Sequence, residues 1–97
     1  MRTKPKAIRE AARGQECQLR LTGICSHDSS TVVLAHIRRC GNAGVGQKPP
    51  NVSGIFACDR CHSVLDGRAG KLRAHDSDIL EGMLRTHKVL KEMGLVE

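Results

Sequence analysis

The sequence of 97 residues predicts one small α+β domain, with a short antiparallel hairpin and a helix at its centre and a further helix at each end. The stretch from Thr31 to Ile37 is apolar and β-branched, which is typical of a strand, and a second extended stretch over 51–57 follows a loop rich in glycine and proline. Cys58 and Cys61 have the spacing of a metal-binding pair. An amphipathic pattern over 78–93 predicts the last helix.

The composition limits how large the hydrophobic core can be. A chain of this length buries a smaller fraction of its surface than a larger protein does. The aromatic content is 1%, with Phe56 as the one aromatic residue. Because aromatic side chains contribute heavily to small cores, we expect a bound metal to supply stability that the core lacks.

The cysteines predict a structural zinc site. Cys58 and Cys61 can bring two sulfurs to one side of a turn, and zinc then needs two more ligands. Cys17 and Cys25 lie upstream in a segment with no other obvious reason to hold two cysteines, so a four-thiolate site is the economical interpretation. Cys40 is left unpaired, either as an inert thiol or as a spare ligand.

The sequence disfavours secretion and membrane insertion. Residues 1–6 lack the apolar run of a signal peptide and the number of cysteines is odd, so we expect a cytoplasmic protein rather than a disulfide scaffold. No stretch approaches the roughly 20 apolar residues of a membrane span, and we expect no membrane partner.

Positive charge is concentrated in the first three quarters of the chain. Residues 1–75 hold 13 Lys and Arg against 5 acidic residues, a net charge of +8, whereas residues 76–97 hold 3 against 5, a net charge of −2. This basic body indicates a polyanionic partner, with nucleic acid as the default and simple solubility as the alternative. Because stacking aromatics are scarce, duplex phosphates match the sequence better than single-stranded bases.

The order of these features predicts how the domain is divided. We expect one domain over 1–97, made of a basic N-terminal helix within 1–14, a zinc-binding core over 17–67 and a C-terminal helix over 77–94. The core contains both strands and the helix that follows them.

The two terminal helices have recognisable ends. Thr3 is placed to cap a helix from Lys4 to about Arg13, and a capping-box pattern of Asp78 and Glu81 predicts the start of the last helix. The first helix has an apolar stripe flanked by basic residues. It is either a solvated basic arm or a phosphate-binding element, and the pattern leaves both interpretations open.

A short central helix carries the remaining candidate ligands. Asp59 is placed to cap it, and Gly67 is placed to end it. His62 and Asp66 are four residues apart, so helical periodicity puts them on one face. Cys61 points toward the zinc, which leaves His62 available for a different metal.

A resemblance to a nuclease family rests on several of these residues. Ala35-His36-Ile37, an extended linker and Cys58-Asp59-Arg60-Cys61-His62 resemble the HNH endonuclease motif. A longer set of segments is similar to the small YbcO-like nucleases of prophages: Ala11-Ala12-Arg13-Gly14, Glu16-Cys17-Gln18, Leu34-Ala35-His36-Ile37-Arg38, Lys48-Pro49-Pro50, Ala57-Cys58, Cys61-His62 and Leu80-Glu81-Gly82-Met83. The resemblance implies a zinc-stabilised, HNH-like ββα-metal core, a β-hairpin plus a helix around one catalytic metal, flanked by N- and C-terminal helices.

The resemblance also implies an activity and the residues that carry it. The function it implies is metal-dependent hydrolysis of DNA phosphodiester bonds, with His36 as general base and His62 as a ligand of the catalytic ion. Imidazole can accept a proton from water near neutral pH. A site with one nitrogen and one carboxylate ligand suits Mg²⁺ or Mn²⁺, and Zn²⁺ or Ni²⁺ are further candidates.

The sequence departs from the HNH pattern at two positions. Ala35 stands where many HNH enzymes have a metal ligand, so Asp66 becomes the compensating ligand of the catalytic ion. Ser53 stands where the middle asparagine of the motif commonly lies, and Asn51 is two residues earlier. Because alternate residues of a strand point the same way, Asn51 is the candidate for this catalytic position.

Contacts with DNA are expected from the linker between the strands. Arg38, Arg39 and Lys48 are placed there to grip neighbouring phosphates, as contacts that do not depend on base sequence. The prophage resemblance implies action in the cytoplasm of a host cell, and the related recombination-enhancing phage nucleases imply a recombination protein as a further partner. The sequence does not indicate which oligomeric state the protein has.

Three other functions fit parts of the sequence. A non-catalytic, zinc-stabilised DNA-binding module would need the four thiols and the basic surface but not His36 or Asp66. Cys58-Asp59-Arg60-Cys61-His62 also matches the haem-attachment pattern, which the missing export signal and the small core disfavour. A thioredoxin-like redox pair is disfavoured because no βαβ pattern surrounds the two thiols.

Overall fold

A computed structural model describes residues 5–37 and 53–96 of the chain. In chain order they form helix α1 (Pro5–Ala11), a short 3₁₀ helix (Ser29–Thr31), strands β1 (Val33–Ala35) and β2 (Ile55–Ala57), and helices α2 (Asp59–Leu65) and α3 (Asp76–Glu92). The predicted α+β class is therefore confirmed. The residues singled out above that lie outside the described ranges are Thr3, Lys4, Arg38, Arg39, Cys40, Lys48 and Asn51.

The two strands form an antiparallel sheet, as the strand, loop, strand pattern predicts. Val33 pairs with Ala57 and Ala35 pairs with Ile55. The first strand is shorter than the sequence predicts, because Thr31 ends the 3₁₀ helix. The carboxylate of Asp28 accepts a hydrogen bond from the N–H of Ser30 at 3.0 Å, which stabilises this tight turn against an extended conformation.

Helix α1 is also shorter than predicted. Its pattern indicates a helix to about Arg13, but the α-helix ends at Ala11 and the chain continues in tighter turns. The N–H of Arg13 bonds to the carbonyl of Glu10 at 3.2 Å, an i to i−3 bond typical of the last turn of a helix. Ile8 and Ala12 are buried and anchor this segment on the core.

Helix α3 begins two residues earlier than predicted, so the expected capping box of Asp78 and Glu81 is wrong. The N-cap is His75, whose N–H donates to the carboxylate of Asp78 at 3.2 Å. Glu81 instead forms an ion pair with Arg85, one turn further along the helix, with Oε2 3.8 Å from Nη1. None of the helices in 5–37 and 53–96 combines the length and apolarity that crossing a bilayer requires.

Helix α3 packs closely against β2 and the segment after α1. An added Cβ at Gly82 would lie 3.1 Å from Ile55 Cγ2 and 3.3 Å from Leu19 Cα, so this close approach depends on glycine. The guanidinium of Arg85 donates to the carbonyl of Gln18, with Nε at 2.9 Å. These contacts hold α3 across the back of the sheet.

The backbone groups on the outer edge of β2 form hydrogen bonds with residues that do not belong to a strand. The N–H of Phe56 donates to the hydroxyl of Thr86 at 3.1 Å, and its carbonyl accepts from the N–H of Gln18 at 2.7 Å. Thr86 is fully buried, and its hydroxyl donates in turn to the carbonyl of Gly82 at 2.8 Å. A covered edge of this kind cannot pair with another chain.

We expect Thr86→Val to lower the free energy of unfolding by about 1–3 kcal/mol, because valine keeps the shape but leaves the buried Phe56 N–H without an acceptor. Chemical denaturation of metal-loaded protein measures this change. Thr86→Ser keeps the hydroxyl and serves as the matched variant. A Thr86→Val protein as stable as the wild type would show that this hydrogen bond contributes nothing.

Candidate metal centre and adjoining cleft

Four cysteine sulfurs meet on one side of the sheet. The Sγ atoms of Cys17, Cys25, Cys58 and Cys61 all lie within 4.8 Å of one another. Cys58 and Cys61 are completely buried, Cys17 is nearly so, and Cys25 is half-buried. The cluster therefore brings together two pairs of cysteines that are far apart in sequence, and it can hold a metal ion.

The start of helix α2 positions two of these sulfurs. The predicted cap, Asp59, is wrong: Cys58 is the N-cap and Asp59 is the first helical residue. The sulfur of Cys58 accepts the N–H of Cys61 at 3.5 Å, the bond that a capping side chain makes with the third residue of a helix. The N–H of Asp59 donates instead to the hydroxyl of Thr31 at 3.3 Å.

Backbone amides from the first cysteine segment also point at the sulfurs. The N–H of Ser26 donates to Cys58 Sγ at 3.4 Å, and the N–H of Arg20 donates to Cys17 Sγ at 3.5 Å. Arg20 has a φ of 51°, in the left-handed region that is costly for residues other than glycine. Such N–H···S bonds favour the thiolate over the thiol, which is the form that binds a metal.

The spacing of the sulfurs fits a tetrahedral ion. Zinc–sulfur bonds of about 2.3 Å at tetrahedral angles place sulfurs about 3.8 Å apart, and the sulfurs of Cys25 and Cys58 are 3.9 Å apart. Four soft thiolate ligands select metals such as zinc over magnesium or calcium. The donor set, the burial and the geometry therefore agree with a closed structural site.

The thiols of this cluster differ in their affinity for protons. A hydrogen bond from Cys61 lowers the pKa of Cys17 to about 4, and the same interaction raises the pKa of Cys61. Burial raises the pKa of Cys25 to about 11. In the metal-free cluster Cys17 therefore gives up its proton more readily than Cys25 or Cys61 does.

We expect Cys61→Ser to abolish binding of one metal ion per chain and to lower the melting temperature, because a closed thiolate site loses a ligand. Elemental analysis and thermal unfolding measure these effects. Cys40→Ser, which removes the fifth cysteine, is expected to keep the metal. Metal retention by Cys61→Ser would remove that thiol from the ligand set.

Metal binding should also depend on pH. Binding as thiolates displaces the protons of Cys25 and Cys61, so affinity for Zn²⁺ is expected to fall as the pH is lowered, about tenfold per pH unit for each proton displaced. The stability that the metal confers is lost in the same direction. Calorimetric titration with Zn²⁺ in two buffers of different ionisation enthalpy measures the released protons. Uptake without proton release would contradict this arrangement.

A second group of candidate ligands lies on the other side of α2. His62 Nε2 and Asp66 Oδ2 are 3.1 Å apart, so the predicted i, i+4 pair is in contact. Both side chains are largely covered, with exposed side-chain fractions of 26% and 34%. His36 follows β1 directly and is half-buried between the buried residues Ala35 and Ile37.

Arg68 is a contact of this pair that the sequence analysis missed. Its Nη2 lies 3.1 Å from the same Asp66 oxygen that contacts His62. Gly67 has a φ of 75°, and the N–H of Arg68 returns to the carbonyl of Ser63 at 2.8 Å, as in a Schellman motif. A glycine directly before a basic side chain, Gly67 before Arg68, is the signal that could have indicated this return.

A cleft runs from His62 to helix α1. Its volume is about 450 Å³, and β1 forms one wall through Val33 and Leu34. Arg9, Glu10 and Arg13 from the N-terminal segment also line it. The cleft therefore joins the His62 side chain to cationic side chains from the N-terminal segment.

The fold and the site define a class of small α+β proteins. Its members have a four-cysteine centre, and a His–Asp pair on the helix that carries two of the cysteines. The family model described as "Putative nuclease YbcO" matches residues 6–95. The chain therefore belongs to the YbcO family, which confirms that part of the predicted resemblance.

Individual relatives cover almost the whole chain. "Putative nuclease YbcO" of Escherichia coli strain K12 and "Putative nuclease ybcO" of Enterobacteria phage 82 are each 41% identical over 92 residues, which is 93% of this chain and 96% of theirs. A solved structure described as a "putative bacteriophage protein" from Escherichia coli K-12 substrain MG1655 has a TM-score of 0.70 and 37% identity. It covers 91% of this chain and 100% of its own.

Proposed function

We propose that this protein is a metal-dependent endonuclease that hydrolyses DNA phosphodiester bonds at an HNH-like ββα-metal site. The observation that carries the proposal is the His62–Asp66 pair, with Nε2 and Oδ2 3.1 Å apart, whose histidine lines a cleft together with Arg9 and Arg13. The relatives described as nucleases support the same activity. A His–Asp pair alone does not define a catalytic site, so the proposal also depends on the elements that surround this pair.

The order of elements around the pair supports an HNH-like core. The antiparallel strands β1 and β2 are followed at once by α2, and His62 is the fourth residue of that helix. His36 lies at the end of β1, where the family resemblance places the general base. The same core is proposed to lie within one domain over 1–97, between the basic N-terminal segment and α3.

The pair fits a divalent ion. Two ligands at right angles around an ion, with bonds of about 2.1 Å, lie about 3.0 Å apart, close to the distance between His62 Nε2 and Asp66 Oδ2. We propose that these residues would hold Mg²⁺ or Mn²⁺, with Zn²⁺ and Ni²⁺ as further candidates. A bound ion would polarise the scissile phosphate and stabilise the leaving oxygen.

The remaining residues have proposed roles that follow from this site. His36 accepts a proton from the attacking water, and Asn51 orients the reacting groups. Arg38, Arg39 and Lys48 contact flanking phosphates. The four cysteines would hold a structural zinc, which would fix the first turn of α2 and thereby the position of His62. We further propose that a recombination protein presents the DNA in the host cytoplasm.

A non-catalytic DNA-binding module is the second candidate. The ion pair between Arg68 and Asp66 favours it, because a carboxylate already neutralised by an arginine has less need of a metal. In that case the four-cysteine centre stabilises the fold, and the basic surface binds phosphates without cleaving them. The two candidates differ in the role of His36 and His62. Both residues are required for DNA cleavage in the nuclease, whereas in the binding module they contribute to stability alone.

We expect zinc-loaded wild-type protein to cleave plasmid DNA when Mg²⁺ or Mn²⁺ is added, and His36→Ala to reduce the rate by about 10²–10⁴-fold, the usual contribution of a general base. His62→Ala should lose cleavage and its dependence on the added ion. Rates of plasmid and single-strand cleavage across Mg²⁺, Mn²⁺, Ni²⁺ and Zn²⁺ measure both effects.

His87→Ala, on α3, is the matched histidine control and should cleave as the wild type does. Zinc content and melting temperature must match across the variants before rates are compared. Cleavage unchanged in both His36→Ala and His62→Ala would refute the proposed site. DNA binding without cleavage under every metal would favour the non-catalytic module.

A further inference from the structure

Helix α1 and the turn that follows it present two arginines to the cleft that His62 also lines. Arg9 and Arg13 are one helical turn apart, both are exposed, and both line this cleft. The buried residues Ile8 and Ala12 hold the same segment on the core, so the arginines are carried on an anchored element. The backbone that carries the two arginines is therefore held at a defined place beside the cleft that His62 also lines.

The positive charges of these arginines are not neutralised by ion pairs within the part of the chain that the structure describes. Within residues 5–37 and 53–96, neither Arg9 nor Arg13 forms an ion pair with a carboxylate. The acidic residue between them, Glu10, lines the same cleft, and its Oε1 lies 4.0 Å from Lys6 Nζ. Among the described residues the cleft is thus lined by two arginines and by one carboxylate that contacts Lys6, and the remaining positive charge favours an anionic ligand from outside the protein.

We propose that Arg9 and Arg13 bind backbone phosphates of the DNA and hold the strand in the cleft leading to His62. The inference rests on the proposed function for its substrate. It extends the binding surface from the linker between the strands to the N-terminal helix. Arginine is suited to this task, because its planar group donates two parallel hydrogen bonds to a phosphate and stays charged at all relevant pH values.

The geometry favours phosphates over bases as the contacted groups. The part of the cleft that β1 lines is apolar, formed by Val33 and Leu34, and it offers few hydrogen-bonding groups for reading base edges. Contacts with phosphates position a duplex without selecting its sequence. Arg9 and Arg13 are therefore positioning residues, which act on where the DNA lies and take no part in bond cleavage.

The test is binding of a short, fluorescently labelled duplex, measured by anisotropy over a range of KCl concentrations with no catalytic metal added. We expect Arg9→Gln/Arg13→Gln to weaken binding about 10-fold or more and to reduce the slope of log affinity against log salt by about 1.8, since each phosphate contact contributes about 0.9. Arg9→Lys/Arg13→Lys keeps the charge and should recover most of the affinity.

A second double variant controls for the loss of two positive charges. Lys88 and Lys91 are exposed on α3, away from the cleft, and Lys88→Gln/Lys91→Gln should change affinity by less than about 3-fold because screening weakens distant charges. Equal losses in the two Gln double variants would overturn the inference. So would a wild-type protein that binds no duplex.

Cleavage assays separate this inference from the proposed function. If the wild type cleaves, Arg9→Gln/Arg13→Gln should raise KM while largely keeping kcat, since the reacting groups are intact. Wild-type cleavage with unchanged binding and KM in that variant would refute the role of the arginines and leave the nuclease standing. Specific loss of duplex binding in a protein that never cleaves would support the arginines and refute the nuclease.

Discussion

The arrangement of four cysteine sulfurs around one point is the constraint on which the rest of the fold depends. It joins the segment after α1 to the start of α2, across more than thirty residues of chain and a core with one aromatic side chain. Cys58 is at once a sulfur of the cluster, the residue directly after β2 and the N-cap of α2. Fixing that sulfur therefore fixes the point at which the helix leaves the sheet.

The direction of α2 determines what surrounds the cluster. Cys61 and His62 are adjacent, so the helix turns one toward the buried sulfurs and the other toward the cleft. One turn later, Asp66 lies beside His62, and the chain folds back through Gly67 to bring Arg68 to the same carboxylate. The candidate catalytic pair is thus carried on the helix whose first turn the cysteines hold. The N–H of His62 also donates to the carbonyl of Cys58 at 2.8 Å, so the position of the pair depends on the cysteines.

Sequence patterns predicted the parts of this structure that depend on local periodicity or on ligand chemistry. The contact between His62 and Asp66 follows from helical spacing, and the meeting of the four cysteines follows from what one metal requires. Helix ends were predicted less well. Cys58 displaced Asp59 as a cap, and His75 displaced Asp78, because in each case the tertiary position of the preceding strand or turn decides where the helix begins. The return of Arg68 to Asp66 depends on a left-handed glycine, which the pattern of charges does not reveal.

The packing of the helices separates the acidic and basic segments of the sequence in space. Helix α3, in the segment with a net charge of −2, packs on β2, whereas α1 packs on β1 beside the cleft. The acidic and basic segments thus lie against different strands of one small sheet. If DNA is the substrate, as proposed, a charge distribution of this kind would favour its approach from the side of α1 before any specific contact forms. For so small a chain this matters, because one domain with few aromatic residues has little other means of orienting a long duplex. The N-terminal helix, which as a sequence could have been a solvated arm, gains from its buried Ile8 and Ala12 a fixed place in that charge distribution.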